Sequence, residues 1–321
     1  MKCRLRVFCL PVVIIALGLT TACSPPAPAT GAAPARPAPA PPKLPLVAAN
    51  LTMVAAADVP ENPLTDAKLA EDTSPLADDI RRGFRLFTDT PAEAKRFVSG
   101  RVSCSNCHLN AGQRERGLPV VGIAGAFPEY NKRAGRLISL TDRVIECFLR
   151  SENATGKTTS AEALPTSSSP EVIALTAYLT WLGRGYNVGA SPSWRGQNTI
   201  PAAAQIPLAK LDPRKGETLF TERCAACHGL DGQGITVGDR RPGPLWGPDS
   251  WNDGAGAARI YTLAGIIRYT MPYVAPGSLS DEEAQQLAVF INSKPRPAFP
   301  FKTRDYPKDP VPADAVYYRP R

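Results

Sequence analysis

Several stretches of this chain place apolar residues at helical spacing behind a start signal. "SPLADDIRRGFRLF" opens on Ser74 and Pro75, "SSPEVIALTAYLTWLG" on Ser169 and Pro170, and "DPRKGETLF" on Asp212 and Pro213. A short polar N-cap with proline at the first helical position is a favoured helix opening. "LSDEEAQQLAVFINS" starts at Ser280, and Glu283 three residues later completes a capping box. Two more apolar helices are expected, one around Cys147 in "TDRVIECFLRS" and one ahead of Met271 in "IIRYTMPYVAPG".

The N-terminal pattern is of another kind. "MKCRLRVFCLPVVIIALGLTTAC" has three basic residues, Lys2, Arg4 and Arg6, and then about a dozen apolar ones, a secretory signal pattern too short for a membrane span. Small residues precede Cys23, as in bacterial lipoprotein signals, so residues 1–22 are read as a signal peptide and Cys23 as a candidate lipidated anchor. Ordinary cleavage nearby is the alternative. In "SPPAPATGAAPARPAPAPPKLP", which follows, nine of 22 residues are Pro and seven Ala. That composition cannot build a core and favours extended polyproline spacing, with a reach of up to roughly 70 Å. Residues 23–62 are therefore read as a disordered Pro/Ala-rich linker, and the location as periplasmic, possible attachment to a bacterial membrane included.

Charge changes the picture only locally. The net charge is +8, and residues 101–150 carry eight Lys/Arg against four Asp/Glu while residues 201–300 balance ten against ten. No basic run is interleaved with aromatics, so nucleic acid is not an expected partner. A small anion or an acidic partner suits the electropositive first half better.

Eight cysteines in an exported chain first suggest disulfides, but their spacing points elsewhere. "CSNCH" holds Cys104, Cys107 and His108, and "CAACH" holds Cys224, Cys227 and His228. This is the c-type haem attachment pattern, in which two thiols add to the porphyrin vinyls and the next histidine reaches the iron. The chain has two histidines and both fall in these motifs. Zinc would need four ligands per site, and a thioredoxin-like pair needs no histidine. Two covalently bound haem c groups are expected.

With both histidines used, each iron needs a sixth ligand from Met, Cys, Lys, Tyr, Asn or water. Met271 lies 43 residues after His228, and Met/His ligation suits a high-potential electron exit. At the equivalent distance from His108, 39 residues on, stands Cys147. A lone cysteine is ordinarily an inert core thiol or half of a disulfide. Two facts favour a ligand: it replaces an expected one, and Arg143 and Arg150 share its helical face. Positive charge favours thiolate over thiol, and a thiolate ligand lowers a haem potential.

The order helix, haem motif, loops, ligand, closing helix resembles the class I cytochrome c fold, present twice. The expected fold is all-α: residues 63–188 form an N-terminal cytochrome c domain, 189–208 an interdomain linker, and 209–321 a C-terminal cytochrome c domain. "VSCSNCHLNAG", "RVIECFLRS" and "PLWGPDSWNDGAGAARIYTLAGIIRYTMP" further resemble the thiosulfate dehydrogenase family of di-haem cytochromes, over roughly residues 75–300. The resemblance implies an active haem ligated by His108 and Cys147, an electron-transfer haem ligated by His228 and Met271, and substrate-site roles for Arg133, Arg143 and Ser151. It implies thiosulfate, or tetrathionate in reverse, as substrate, and an external electron acceptor such as a small cytochrome c or high-potential iron–sulfur protein. The chain departs from the family pattern after Ser151, where "RSENATG" sets two residues between Asn153 and Gly156. A plain di-haem carrier and a Sox-type cytochrome subunit are the rival readings.

Overall fold

Two glycines set the architecture. Helix α1 (Pro75–Thr88) buries Ala77, Ile80, Gly83, Phe84, Leu86 and Phe87, and crosses helix α3 (Pro170–Trp181). A Cβ on Gly83 would lie 2.1 Å from the Ala174 carbonyl oxygen and 2.6 Å from Tyr178 Cβ. Only glycine allows that approach. The second half repeats it: helix α4 (Pro213–Arg223) crosses helix α6 (Asp281–Ser293), where a Cβ on Gly216 would lie 2.0 Å from the Gln286 carbonyl oxygen and 2.6 Å from Phe290 Cβ. Four residues on from each glycine an aromatic ring meets the crossing helix, Phe87 against Tyr178 at 5.5 Å and Phe220 against Phe290 at 5.4 Å.

The computed structural model describes residues 67–156, 164–237 and 242–318, all within one compact unit. The signal, Cys23 and linker expectations lie outside the described residues. Helix α2 (Leu140–Arg150) carries Cys147 and α5 (Ile260–Thr270) runs into Met271. A short hairpin precedes α2, with β1 (Glu129–Asn131) antiparallel to β2 (Arg136–Ile138) and Glu129 opposite Ile138. The described chain is otherwise helices, turns and loops, and none of its helices is long and apolar enough to cross a membrane.

The helix starts follow the sequence. Ser74 Oγ accepts from Ala77 N at 3.2 Å and Asp212 Oδ1 from Arg214 N at 2.9 Å. Ser280 and Glu283 form their capping box, as do Ser139 and Asp142 at the start of α2. Ser169 differs: its hydroxyl turns back to accept from Thr166 N at 2.9 Å and does not cap α3. Two apolar cores result, one around Phe84, Phe87, Phe148 and Tyr178 and one around Phe220, Trp246, Leu287 and Phe290.

The chain after α6 does not stay with the second core. Asp305 reaches α2 to pair with Arg150, Tyr306 N donates to the Arg133 carbonyl at 2.8 Å, and Asp309 accepts from Tyr130 Oη at 2.8 Å. The C-terminal segment is a strap across the first half.

A methyl at Gly216 has nowhere to go, because its neighbour is backbone on α6. Gly216→Ala is expected to cost about 1–3 kcal/mol, an overpacking penalty, which at about 2–4 °C per kcal/mol lowers the melting midpoint by several degrees. At Gly256 an added Cβ meets nothing within 4 Å, so Gly256→Ala should leave the midpoint within about 0.5 kcal/mol of the parent. Thermal melts of the three proteins check this.

Candidate functional site

Each cysteine–histidine motif folds as a single tight turn. In Cys104–Cys107 the His108 N–H donates to the Cys104 carbonyl at 2.9 Å; in the second motif His228 N–H donates to the Cys224 carbonyl at 3.0 Å. The first turn is fixed by neighbours: Ser103 N donates to Asn106 Oδ1 at 2.7 Å, and Cys104 N to the buried Thr90 hydroxyl at 3.2 Å. An i+4 closure of this kind brings the two thiols and the imidazole to one side of the turn.

That side faces a cavity in both halves. The first, of about 780 Å³, is lined by Cys104, Cys107 and His108, and by Arg143, Cys147 and Ser151 from α2 and its end. The second, of about 1070 Å³, is lined by Cys224, Cys227, His228 and Met271. These volumes match cofactor sites, which run to roughly 1,000 Å³. Val102, Ser103 and Cys107 line both cavities, so the first motif turn is the wall between them.

The electrostatics of the thiols argue against a redox-active pair. Burial pushes Cys107 up to about 12, with the charges of Glu152 and Cys147 adding to it, and burial likewise pushes Cys224 up to about 12. Cys104 is raised well above its ordinary value by the same cause. A thioredoxin-like pair needs the opposite, a depressed thiol. Nor do three His, Cys, Asp or Glu side chains gather as a metal cage among the described residues. Both histidines are held in the neutral form: burial and then the nearby Arg143 charge lower His108 against the raising effect of the Leu118 carbonyl, and burial lowers His228 to about 4. His108 Nδ1 lies 2.6 Å from the Leu118 carbonyl oxygen, a contact that favours the Nδ1–H tautomer and leaves Nε2 to the cavity. Trp251 Nε1 is buried without a hydrogen-bond partner at the second cavity, a donor that suits a porphyrin carboxylate, and His228 Nδ1 is buried there without the carbonyl partner that His108 has. Haem c fits both sites.

The residues expected around Cys147 separate into two groups. Arg143 and Ser151 share its cavity. Arg133 does not line it: its Nη1 donates to the Gly254 carbonyl at 2.9 Å and its guanidinium sits 5.9 Å from the Tyr306 ring centroid. The cationic setting of Cys147 is also smaller than the helical wheel suggests. Arg150 is buried, donating to both oxygens of Asp305 at 2.8 and 2.7 Å and to Glu146 at 2.9 Å, and it stacks 4.1 Å from the Phe299 ring centroid. Its charge is consumed there, leaving Arg143 as the arginine that the α2 helix presents to the cavity.

Some lining residues had not been singled out. Glu152 is buried against the first cavity, its carboxyl raised to about 8 by burial and its Oε2 without a partner. The segment read as a linker also lines this cavity with Trp194, Arg195 and Asn198, and Trp194 Nε1 is buried and unpartnered. Arg259 and Asp314, paired at 2.7 Å, close it from the second half. A lone tryptophan in a Gly/Ser/Pro loop was the one available signal.

Two crossed-helix units, each with a cysteine–histidine turn at a cavity, define a protein built of cytochrome c domains. Residues 94–188 match the family described as SoxA/TsdA, cytochrome c domain, and residues 211–291 that described as cytochrome C oxidase, cbb3-type, subunit III. The thiosulfate dehydrogenase of Allochromatium vinosum is 41% identical over 237 residues, covering 72% of this chain and 83% of that one. That of Stutzerimonas stutzeri is 37% identical over 222 residues, 69% and 68% of the two chains. The solved thiosulfate dehydrogenase TsdBA of Marichromatium purpuratum, in its as-isolated form, superposes with a TM-score of 0.65 at 31% identity over 79% of this chain; the match spans about half (51%) of that longer chain. The chain belongs to the thiosulfate dehydrogenase family, an enzyme family of c-type cytochromes.

Proposed function

We propose that this chain joins two thiosulfate ions into tetrathionate, releasing two electrons, at a first haem c attached through Cys104 and Cys107 and ligated by His108 and Cys147. A second haem c, attached through Cys224 and Cys227 and ligated by His228 and Met271, receives the electrons and hands them to an external acceptor such as a small cytochrome c or high-potential iron–sulfur protein. The observation that carries this reading is the meeting of Cys147 and His108, from separate elements, in one cavity with Arg143 and Ser151. Haem supplies one-electron redox capacity at each site.

The chain's own residues do the rest. Bringing two dianions together in a low-dielectric cleft is costly without a compensating cation, and the Arg143 guanidinium provides one beside Cys147. The Ser151 hydroxyl offers a hydrogen bond to a sulfonate oxygen. The Cys147 sulfur meets the sulfane sulfur of thiosulfate. The S–S bond of tetrathionate forms as the two electrons depart, and no proton changes hands in the net reaction. Arg133, held at the Gly254 carbonyl, and Arg150, paired with Asp305, support the frame around the site. Residues 1–22 direct export, Cys23 tethers the mature chain to a membrane, and residues 23–62 space the catalytic body in the periplasm.

The deciding experiment is incubation of the purified holoprotein with thiosulfate and an artificial electron acceptor, with tetrathionate measured directly. Near-infrared magnetic circular dichroism of the oxidised protein reads the ligands in parallel. A thiolate charge-transfer band on one haem and a Met/His signature on the other are expected. Met/His on both, with no tetrathionate, removes the enzyme reading and leaves an electron carrier.

A further inference from the structure

The Cys147 helix ends in the second half of the molecule. An α-helix leaves its last carbonyls without intrahelical donors. In α2 the Cys147 carbonyl is met locally by Ser151 N at 2.8 Å and Glu152 N at 3.1 Å. The carbonyls of Leu149 and Arg150 are met from elsewhere: Asn252 Nδ2 donates to Leu149 O at 2.7 Å and Asn252 N to Arg150 O at 3.0 Å. The same Nδ2 donates to Asn153 Oδ1 at 3.2 Å, and Asn252 Oδ1 accepts from Gly254 N at 3.1 Å. Asn252 is fully buried and all its side-chain polar atoms are used.

Its neighbours explain why it can act as a fixed post. Trp251, one residue before, lines the second cavity. Asp253, one residue after, accepts from Phe299 N at 2.7 Å and pairs with Lys302 Nζ at 2.5 Å. Asn153, which Asn252 grips, holds a left-handed turn at φ 49° and is braced by Ser99 through its amide and its carbonyl. Ser151 and Glu152 lie between the anchored Arg150 carbonyl and Asn153, and Cys147 stands two residues before the anchored Leu149 carbonyl; all three line the first cavity.

We propose that Asn252 is a positioning residue for the first active site: by closing the end of α2 from the second half, it sets where the Cys147 sulfur stands relative to the iron. The proposal rests on Cys147 ligation as given above. Without its side chain the Leu149 carbonyl loses its side-chain donor, and the buried Asn153 amide oxygen keeps only the long contact from Thr155 Oγ1 at 3.4 Å, an unfavourable state. The last turn then moves to find other partners and takes the Cys147 sulfur with it. Partners that orient a ligand from outside the coordination sphere have effects of this kind.

The test uses holoprotein carrying Asn252→Ala, Asn252→Asp or Asn153→Gly. Asp keeps the shape and the acceptor but removes the donor; Gly keeps the left-handed turn while deleting the amide that Asn252 holds, and is the variant least disturbing to the fold. The expected result is a weakened or shifted thiolate charge-transfer band and a displaced midpoint potential for the first haem. The second haem's Met/His signature stays, and kcat falls by about tenfold with little change in KM. Asn153→Gly should show the same shifts, smaller. Wild-type band and potential in Asn252→Asp, or in Asn153→Gly should the other two fail to fold, overturn the inference. A wild-type protein without any thiolate band instead overturns the ligation reading on which it stands.

Discussion

Cys147→Gly and Cys147→Met are both expected to abolish thiosulfate oxidation while leaving the protein folded and both haems attached. Under the proposed function attachment is through Cys104, Cys107, Cys224 and Cys227, and the α2 helix is held by its capping box, Arg150 and Asn252 rather than by the thiol. Cys147 is only partly buried, so either replacement is sterically tolerable. If Cys147 ligates and reacts as proposed, its loss must exceed the effect of losing an outer partner, which is commonly 10–100-fold, so turnover should fall by more than about a hundredfold. Met at 147 should also convert the first haem to a Met/His type with a raised potential, visible in the same near-infrared spectrum. Tetrathionate formation at an unaltered rate in either variant would remove Cys147 from the chemistry.

The largest effect on stability is expected at the strap. Burial alone pulls the Arg150 guanidinium down, yet the Asp305 and Glu146 carboxylates hold it above its ordinary value. Asp305→Ala leaves a buried guanidinium with a single carboxylate and deprives Tyr318 Oη of its acceptor at 2.5 Å. Breaking a buried pair from one side costs about 3–5 kcal/mol. Because both side chains are only 5% exposed, added salt should not shrink the difference much. The contrast is Glu282→Gln: its pair with Lys215 is more than 60% exposed on both sides, and its loss should stay within about 1 kcal/mol. Denaturant midpoints at low and high salt separate the two cases.

Much of this could be read from the chain because the signals were local. Proline behind Ser or Asp marked the starts of α1, α3 and α4, a capping box marked that of α6, and cysteine spacing marked both cysteine–histidine turns. One local signal passed unused: "RGFRLF" and "KGETLF" share a glycine with phenylalanine four residues on, and this is the unit that builds both helix crossings. The first half hides the repeat by setting residues 89–103 between α1 and its cysteine motif, whereas α4 runs straight into Cys224. What could not be read is long-range. Arg150 looks like an active-site cation on a helical wheel, and only the return of Asp305 from 155 residues away shows otherwise. Arg133 is diverted in the same way, and the segment 189–208 has no pattern to say that Trp194 turns toward a cavity. Ion-pair partners and loop coverage are decided by the tertiary path, which hydrophobic periodicity does not encode.

The shared wall has a bearing on counting electrons. Making one tetrathionate releases two, yet each haem takes one, so an enzyme with distant centres would have to wait for an acceptor halfway through its reaction. Here Cys107 and Ser103 line both cavities, so under the proposed function a single turn of chain would separate the two cofactor sites. Two such groups would together hold the charge released by one product, and a half-oxidised sulfur species would not have to wait for an acceptor.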